Sequence, residues 1–232
     1  MKEINAVGDF AEEESLFMAW TEEKLPKIIQ KADSKNKDVI ADILFIRKNI
    51  LDYNKVPREN IMFSNFKYLC DRFNLKEQKI YGYFGEAHVL QKPMGEKMDF
   101  GALVNQDKDF KDKTYTIISR YADSEMAAPS KFLPFFLRSG KEHTKSGISC
   151  DNPFLLYHSG ISELKQLTVK NTNTFFDISQ LNSPYSKSQR LMKSFGFLSL
   201  ISGMKITDEN LSTCDYAQGV LLIRNSEWAQ PQ

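Results

Sequence analysis

The chain has few cysteines, no long apolar run and no excess of either charge. Its three cysteines, Cys70, Cys150 and Cys214, stand far apart and form no CxxC pair, which excludes a zinc ribbon and a thioredoxin-type motif. Reduced thiols in a cytoplasmic setting are expected, with one disulfide plus a spare thiol as the alternative. The 31 basic and 30 acidic side chains leave a formal net charge of +1, so composition gives no support for nucleic-acid or acidic-membrane partners. The start, Met1-Lys2-Glu3-Ile4-Asn5, lacks the basic region and apolar stretch of a signal peptide. The longest apolar window, Phe195 to Met204, is too short to span a bilayer. No GxSxG elbow occurs, which argues against a serine α/β-hydrolase. The polar loop Ser139–Gly147 lacks the GxxxxGK[ST] order of a P-loop. A soluble protein is expected, with a small molecule as its partner and no nucleic acid or membrane; oligomeric state is left open.

What remains is an ordinary globular composition, 41% hydrophobic and 26% charged over 232 residues, enough for a full core. Periodicity divides it. Residues 11–75 read as three helices. Acidic Glu12, Glu13 and Glu14 open the first, and Pro26 is expected to kink or end it. The second carries Val39, Ile40, Ile43, Leu44, Ile50 and Leu51 at 3.6-residue spacing. The third starts with Pro57 at a first-turn position and presents Ile61, Met62, Asn65, Phe66, Leu69, Cys70 and Phe73. Strands are predicted at Lys79–Phe84, Thr114–Ser119, Phe154–His158, Thr174–Ile178 and Gly219–Arg224. A short helix is predicted near Phe100–Val104 and another over Ser188–Ser194. Residues 122–150, broken by Pro129 and Pro134, read as an irregular excursion or lid. The expected fold is a single α/β domain over residues 1–232, helical over 1–76 and strand-containing over 77–232. Helices alternating with strands predict a mostly parallel central sheet flanked by helices.

One turn carries the chemistry. Ligands of open α/β sheets collect outside the carboxyl ends of strands, and Gly85-Glu86-Ala87-His88 follows the first predicted strand. In an extended chain Glu86 and His88 share a face, and Gly85 permits a sharp turn. Histidine accepts a proton near neutral pH and a carboxylate orients it; the plain alternative is a strand-end histidine bonded to backbone. Arg58 opens the third helix, where the dipole disfavours a cation. Binding an anionic group or a buried carboxylate explains that placement, and a surface pairing with Glu59 or Asp52 is the simpler reading. His158 ends a predicted strand and can approach His88 across neighbouring strands, although an ordinary hydrogen-bonded histidine is the commoner case. The aromatics Phe132, Phe135 and Phe136 read as core or pocket wall.

The succession Arg58-Glu59-x-x-Met62-x-x-Asn65, followed by Lys79-Ile80-Tyr81-Gly82-Tyr83-Phe84-Gly85-Glu86-Ala87-His88-Val89, resembles the second half of erythromycin esterase-like proteins. The ending, Arg224-Asn225-Ser226 with a late Pro231, is loosely similar too. The likeness covers residues 55–92 well and 215–232 loosely. It implies a three-layer α/β fold of the haem-uptake and Tiki superfamily, in which histidine activates water to open an ester or lactone without a metal. Carried over, His88 matches the family's second turn histidine and Arg58 its helix arginine. The family's first turn histidine falls on Gly85 and its asparagine on Glu86. The family's early glycine- and histidine-bearing motif has no counterpart before residue 78. The chain therefore resembles either the later portion of such a protein or a diverged relative lacking half the site.

These readings make His88 the general base, Glu86 its orienting carboxylate and Arg58 the electrostatic anchor. Glu59, Asn65 and His158 are candidate substrate contacts, with no cofactor or metal. Gly85-Glu86-x-His88 also resembles the opening motif of Tiki and ChaN-type relatives, which points to divalent metal or haem. Only two ligands are visible for that alternative, where a site usually needs three or more. A non-catalytic binding domain on the same fold is the third reading.

Overall fold

The computed structural model describes residues 8–31, 37–53, 55–96, 98–132, 135, 138–196, 199 and 208–228. Pro134, Phe136, Met204 and Pro231, named above, lie outside these. The chain divides into two compact units, Met1–Asn65 and Phe66–Gln232.

The first unit is helical. Helix α1 runs Gly8–Lys31, α2 Lys37–Asp52, and α3 Arg58–Arg72, the last crossing the unit boundary. The three predicted helices are all present. Helix α1 continues through Pro26 to Lys31, because proline withdraws a single N–H and the turns on either side retain theirs. Arg47 Nε donates to Thr21 Oγ1 at 3.2 Å and ties α2 to α1 beside buried Leu25. No residue of α2 is buried: of its apolar stripe, Val39, Leu44 and Leu51 are exposed and Ile40, Ile43 and Ile50 half-buried.

The second unit holds every strand among the described residues. Its elements are α4 Glu86–Val89, α5 Phe100–Gln106, β1 Ile117–Ala122, β2 Ser124–Pro129, β3 His143–Ile148, β4 Asp151–Asn152, β5 Leu156–His158, α6 Ile161–Gln166, β6 Asn173–Asp177, β7 Ser194–Phe195, α7 Thr213–Tyr216 and β8 Gly219–Arg224. The main sheet has the order β1-β8-β6. Strands β1 and β8 are parallel, with Ile118 opposite Val220 and Arg120 opposite Leu222, while β6 is antiparallel to β8. One face carries Ile118, Ala122, Val220 and Leu222, all buried against Leu90, Ile161, Leu164, Leu191 and Tyr216.

The fold is α/β, but the described strands are not a mostly parallel sheet. Antiparallel pairs β2/β3, β4/β5 and β5/β7 make two further small sheets. Residues 153–155 suffice to return β4 into β5, whereas a parallel pair needs a crossover of a dozen residues or more. The predicted excursion over 122–150 is therefore partly the β2/β3 hairpin. The predicted helix at 188–194 is a series of turns entering β7.

The largest difference concerns Lys79–Phe84, which forms no strand. Its side chains face solvent, Tyr81 89% and Tyr83 96% exposed. The adjoining sheet edge is partly used: in β1 the Tyr121 carbonyl accepts from Cys150 N–H, and the Ser119 carbonyl accepts from the Arg120 guanidinium. Strand-like composition alone does not supply a pairing partner.

Contacts of Val89 and Gln91 fix the end of α4. Thr116 Oγ1 donates to the Val89 carbonyl at 2.9 Å. Gln91, buried just beyond, donates from Nε2 to Gln218 Oε1 at 2.7 Å and to the Thr114 carbonyl at 2.9 Å. Gly101 of α5 lies so close that a Cβ there would stand 2.5 Å from the Val89 carbonyl carbon and oxygen. Only glycine permits that approach.

Candidate functional site

Residue 120 lies on the buried face of β1, between Ile118 and Ala122, and it is an arginine 1% exposed. A buried cation must be paired and hydrogen-bonded to persist. The partner is Glu86, the first residue of α4. Arg120 Nη2 donates to Glu86 Oε1 at 2.8 Å, and Nη1 donates to Oε2. This two-pronged geometry is the strong form of the arginine–carboxylate bond. The remaining Nη hydrogens go to the Ser119 carbonyl at 2.9 Å and the Leu191 carbonyl at 2.7 Å. Burial by itself would lower the Arg120 pKa, but the Glu86 carboxylate outweighs it and the net shift is upward. The pair reaches solvent through Glu86, whose side chain is 31% exposed.

His158 belongs to the same assembly. Strand β5 is stitched to β1 through Cys150, whose N–H donates to the Tyr121 carbonyl at 2.6 Å and whose carbonyl accepts from His158 N–H at 2.7 Å. The half-buried ring of His158 then places Nδ1 3.0 Å from the Leu191 carbonyl oxygen. Burial, followed by the nearby Arg120 charge, lowers its pKa from 6.5 to about 4. Its imidazole is therefore neutral at pH 7. Leu191 is fully buried with φ 70, a left-handed conformation that disfavours leucine. Its N–H donates to the Ser159 carbonyl at 2.5 Å, so backbone bonds hold the carbonyl toward Arg120 and His158. The Cys150 thiol lies near both Arg120 and Glu86, and burial raises its pKa, which leaves it a protonated thiol.

The geometry around Glu86 and His88 differs from the extended turn predicted. Residues 86–89 form one helical turn, and positions two apart on a helix point to different sides. Glu86 is committed to Arg120 and does not orient His88. Gly85 has φ −60 and ψ 149, a conformation open to any residue, so the sharp turn expected of it is absent. A Cβ at Gly85 would meet His88 Cδ2 at 3.6 Å, which places the half-buried His88 ring back over the start of the turn.

Arg58 is exposed at the start of α3, and Glu59 and Asn65 are half-buried on the same helix. These three belong to the first unit; Glu86, His88 and His158 belong to the second. Within the second unit the guanidinium facing Glu86 is Arg120, which sequence reasoning passed over. The signal was present: Ile118-Ser119-Arg120-Tyr121-Ala122 alternates, and the arginine falls in phase with the buried residues. Leu191 carried no comparable signal.

A divalent cation finds no ready ligand set here. Both Glu86 oxygens face a guanidinium, which places a positive charge where the ion would sit. Among the described residues no group of three or more His, Cys, Asp or Glu is arranged to hold a metal ion. Two cavities lie away from the pair. One of about 290 Å³ is within the first unit beside Thr21 and Arg47, and one of about 440 Å³ lies past the ends of β1 and β8 beside Asp123 and Trp228. No described helix is long and apolar enough to cross a membrane.

No protein-family model matches the chain, and no curated protein matches it. Among solved structures, the chain is similar to the crystal structure of a succinoglycan biosynthesis protein, with 15% identity and a TM-score of 0.48. The match covers 93% of this chain and 51% of that one, so the chain spans about half the length of that protein.

Proposed function

We propose that the protein is a hydrolase-like member of the erythromycin esterase-like group, cleaving an ester or lactone with water activated by histidine. The observation that carries this reading is the two-pronged Glu86–Arg120 pair, buried at the arginine and open at the carboxylate. Burying a guanidinium is costly, and a pair of similar volume built from apolar residues stabilises a fold as well or better. Strongly perturbed, buried charge of this kind gathers at functional sites. Two imidazoles accompany it. His88 rides on the same helical turn as Glu86, and His158 stands across the Leu191 carbonyl from Arg120. A neutral imidazole that takes a proton from water as it attacks an acyl carbon contributes about 10²- to 10⁴-fold in rate.

The test is hydrolysis of a panel of esters and lactones by the wild type and by a His88→Ala/His158→Asn double variant. At least one substrate should be cleaved well above background by the wild type, and the double variant should lose that activity while keeping its circular dichroism. Equal rates for the two proteins would remove histidine from the mechanism. Activity on no substrate would remove the hydrolase reading.

A further inference from the structure

A carbonyl oxygen can only accept a hydrogen bond, so the nitrogen facing it must carry the proton. Nδ1 of His158 lies 3.0 Å from the Leu191 carbonyl, and that contact makes Nδ1 the protonated nitrogen of the neutral ring. Nε2 is then the bare nitrogen, with its lone pair in the ring plane. Among the described residues Nε2 bonds to no protein group, and it is not among the sealed-in side-chain atoms that lack a partner. The His158 side chain is half-buried. The Leu191 carbonyl is held from several sides, by the Ser159 bond to the Leu191 N–H and by the Arg120 guanidinium on the same oxygen, so the tautomer is fixed by the fold.

Resting on the hydrolase reading, we propose that His158 is the proton acceptor of this site, with Nε2 receiving the proton of the attacking water. The electron bookkeeping closes without a cofactor. A water O–H bond breaks as its oxygen bonds to the acyl carbon, its proton passes to Nε2, and the carbonyl π pair moves onto the carbonyl oxygen. That pair returns as the bond to the leaving alcohol breaks, and the proton on Nε2 passes to the departing alkoxide. The ring ends neutral. While it is protonated, the imidazolium faces Glu86 of α4, whose carboxylate favours it, and Arg120 of β1, which opposes it; the Cys150 thiol beside β1 is uncharged. These surroundings keep the resting ring in its accepting form across neutral pH and return its proton readily to an alkoxide.

Two measurements on the full chain decide this. Long-range ¹H–¹⁵N spectra of the imidazoles, assigned with a His158→Asn variant, should show Nδ1–H and a bare Nε2 for His158 from pH 5 to 8. Diethyl pyrocarbonate at pH 6 should modify its Nε2, located by mass spectrometry. The opposite tautomer, or a ring inert to the reagent, overturns the proposal whether or not a substrate is in hand. On any ester or lactone that the wild type cleaves, His158→Asn keeps a donor for Leu191 while deleting Nε2. It should lower kcat about 100-fold or more with the fold intact. A His158→Asn protein as fast as wild type overturns the proposal and leaves the hydrolase reading standing. A wild type inactive on every substrate, with the expected tautomer and modification, overturns the hydrolase reading instead.

Discussion

Arg120 and His158 meet at one acceptor, the Leu191 carbonyl oxygen, which lies 2.7 Å from Arg120 Nη2 and 3.0 Å from His158 Nδ1. The same guanidinium grips Glu86 with both Nη atoms. Carboxylate, guanidinium, carbonyl and imidazole thus form one connected series, and disturbing a member reaches the others.

The ion pair sets the first expectation. Glu86→Gln leaves the Arg120 guanidinium buried with a weaker partner. Breaking a fully buried pair costs about 3–5 kcal/mol, and the partial exposure of Glu86 reduces this to about 2–3 kcal/mol. A Glu86→Leu/Arg120→Met double variant removes both charges and should recover much of that loss. Urea unfolding of the three proteins checks it; a Glu86→Gln protein as stable as wild type would show the pair to be idle.

Acid should act through His158. Its folded pKa of about 4 lies below the 6.5 of the unfolded chain, so below pH 6.5 the unfolded state binds the proton first. Stability falls as pH drops from 6.5 to 4, by about 3 kcal/mol at most, and this contribution is flat above 6.5. His158→Asn should remove this component of the slope. Thermal or urea unfolding across that window, with an unchanged slope in the variant, would assign the acid sensitivity to other groups.

Gly101 offers a test at a distance. A Cβ at 2.5 Å from the Val89 carbonyl meets backbone, which cannot swing aside. Gly101→Ala should cost about 1–3 kcal/mol. It should also depress hydrolysis, because the displaced turn carries Glu86. Loss of stability with full activity would separate α5 from the site.

Much of this architecture was legible in the sequence, and the failures have physical causes. The periodic stripes marked α1, α2 and α3, and the apolar run at Gly219–Arg224 marked β8 to the residue. Thr174–Ile178 came within one residue of β6. The Thr114–Ser119 reading fell three residues early, because Thr114 and Thr116 are polar pins beside Gln91 rather than ladder members. Lys79–Phe84 has the composition of a strand, yet pairing depends on an edge, which composition does not report. Of the candidate site, Glu86, His88 and His158 were readable as residue types at turn and strand ends. Arg120 needed the alternation of β1 to be followed through a charged position. The left-handed carbonyl at Leu191 depends on long-range bonds to Ser159 and Arg120, which no local pattern encodes.

The segment ahead of α4 should show its lack of partners in solution. Amides of residues 80–84 should exchange with solvent orders of magnitude faster than those of Gly219–Arg224, which lie between two neighbours in the sheet. Equal protection in the two segments would mean that 80–84 is paired.

The most direct measurement is the initial rate of ester and lactone cleavage by wild type, His158→Asn and His88→Ala, each at pH 7 and each verified as folded. The expected result is cleavage of at least one substrate by wild type and a fall of about 100-fold or more in His158→Asn. Cleavage of nothing by wild type, or identical rates in all three proteins, would contradict it.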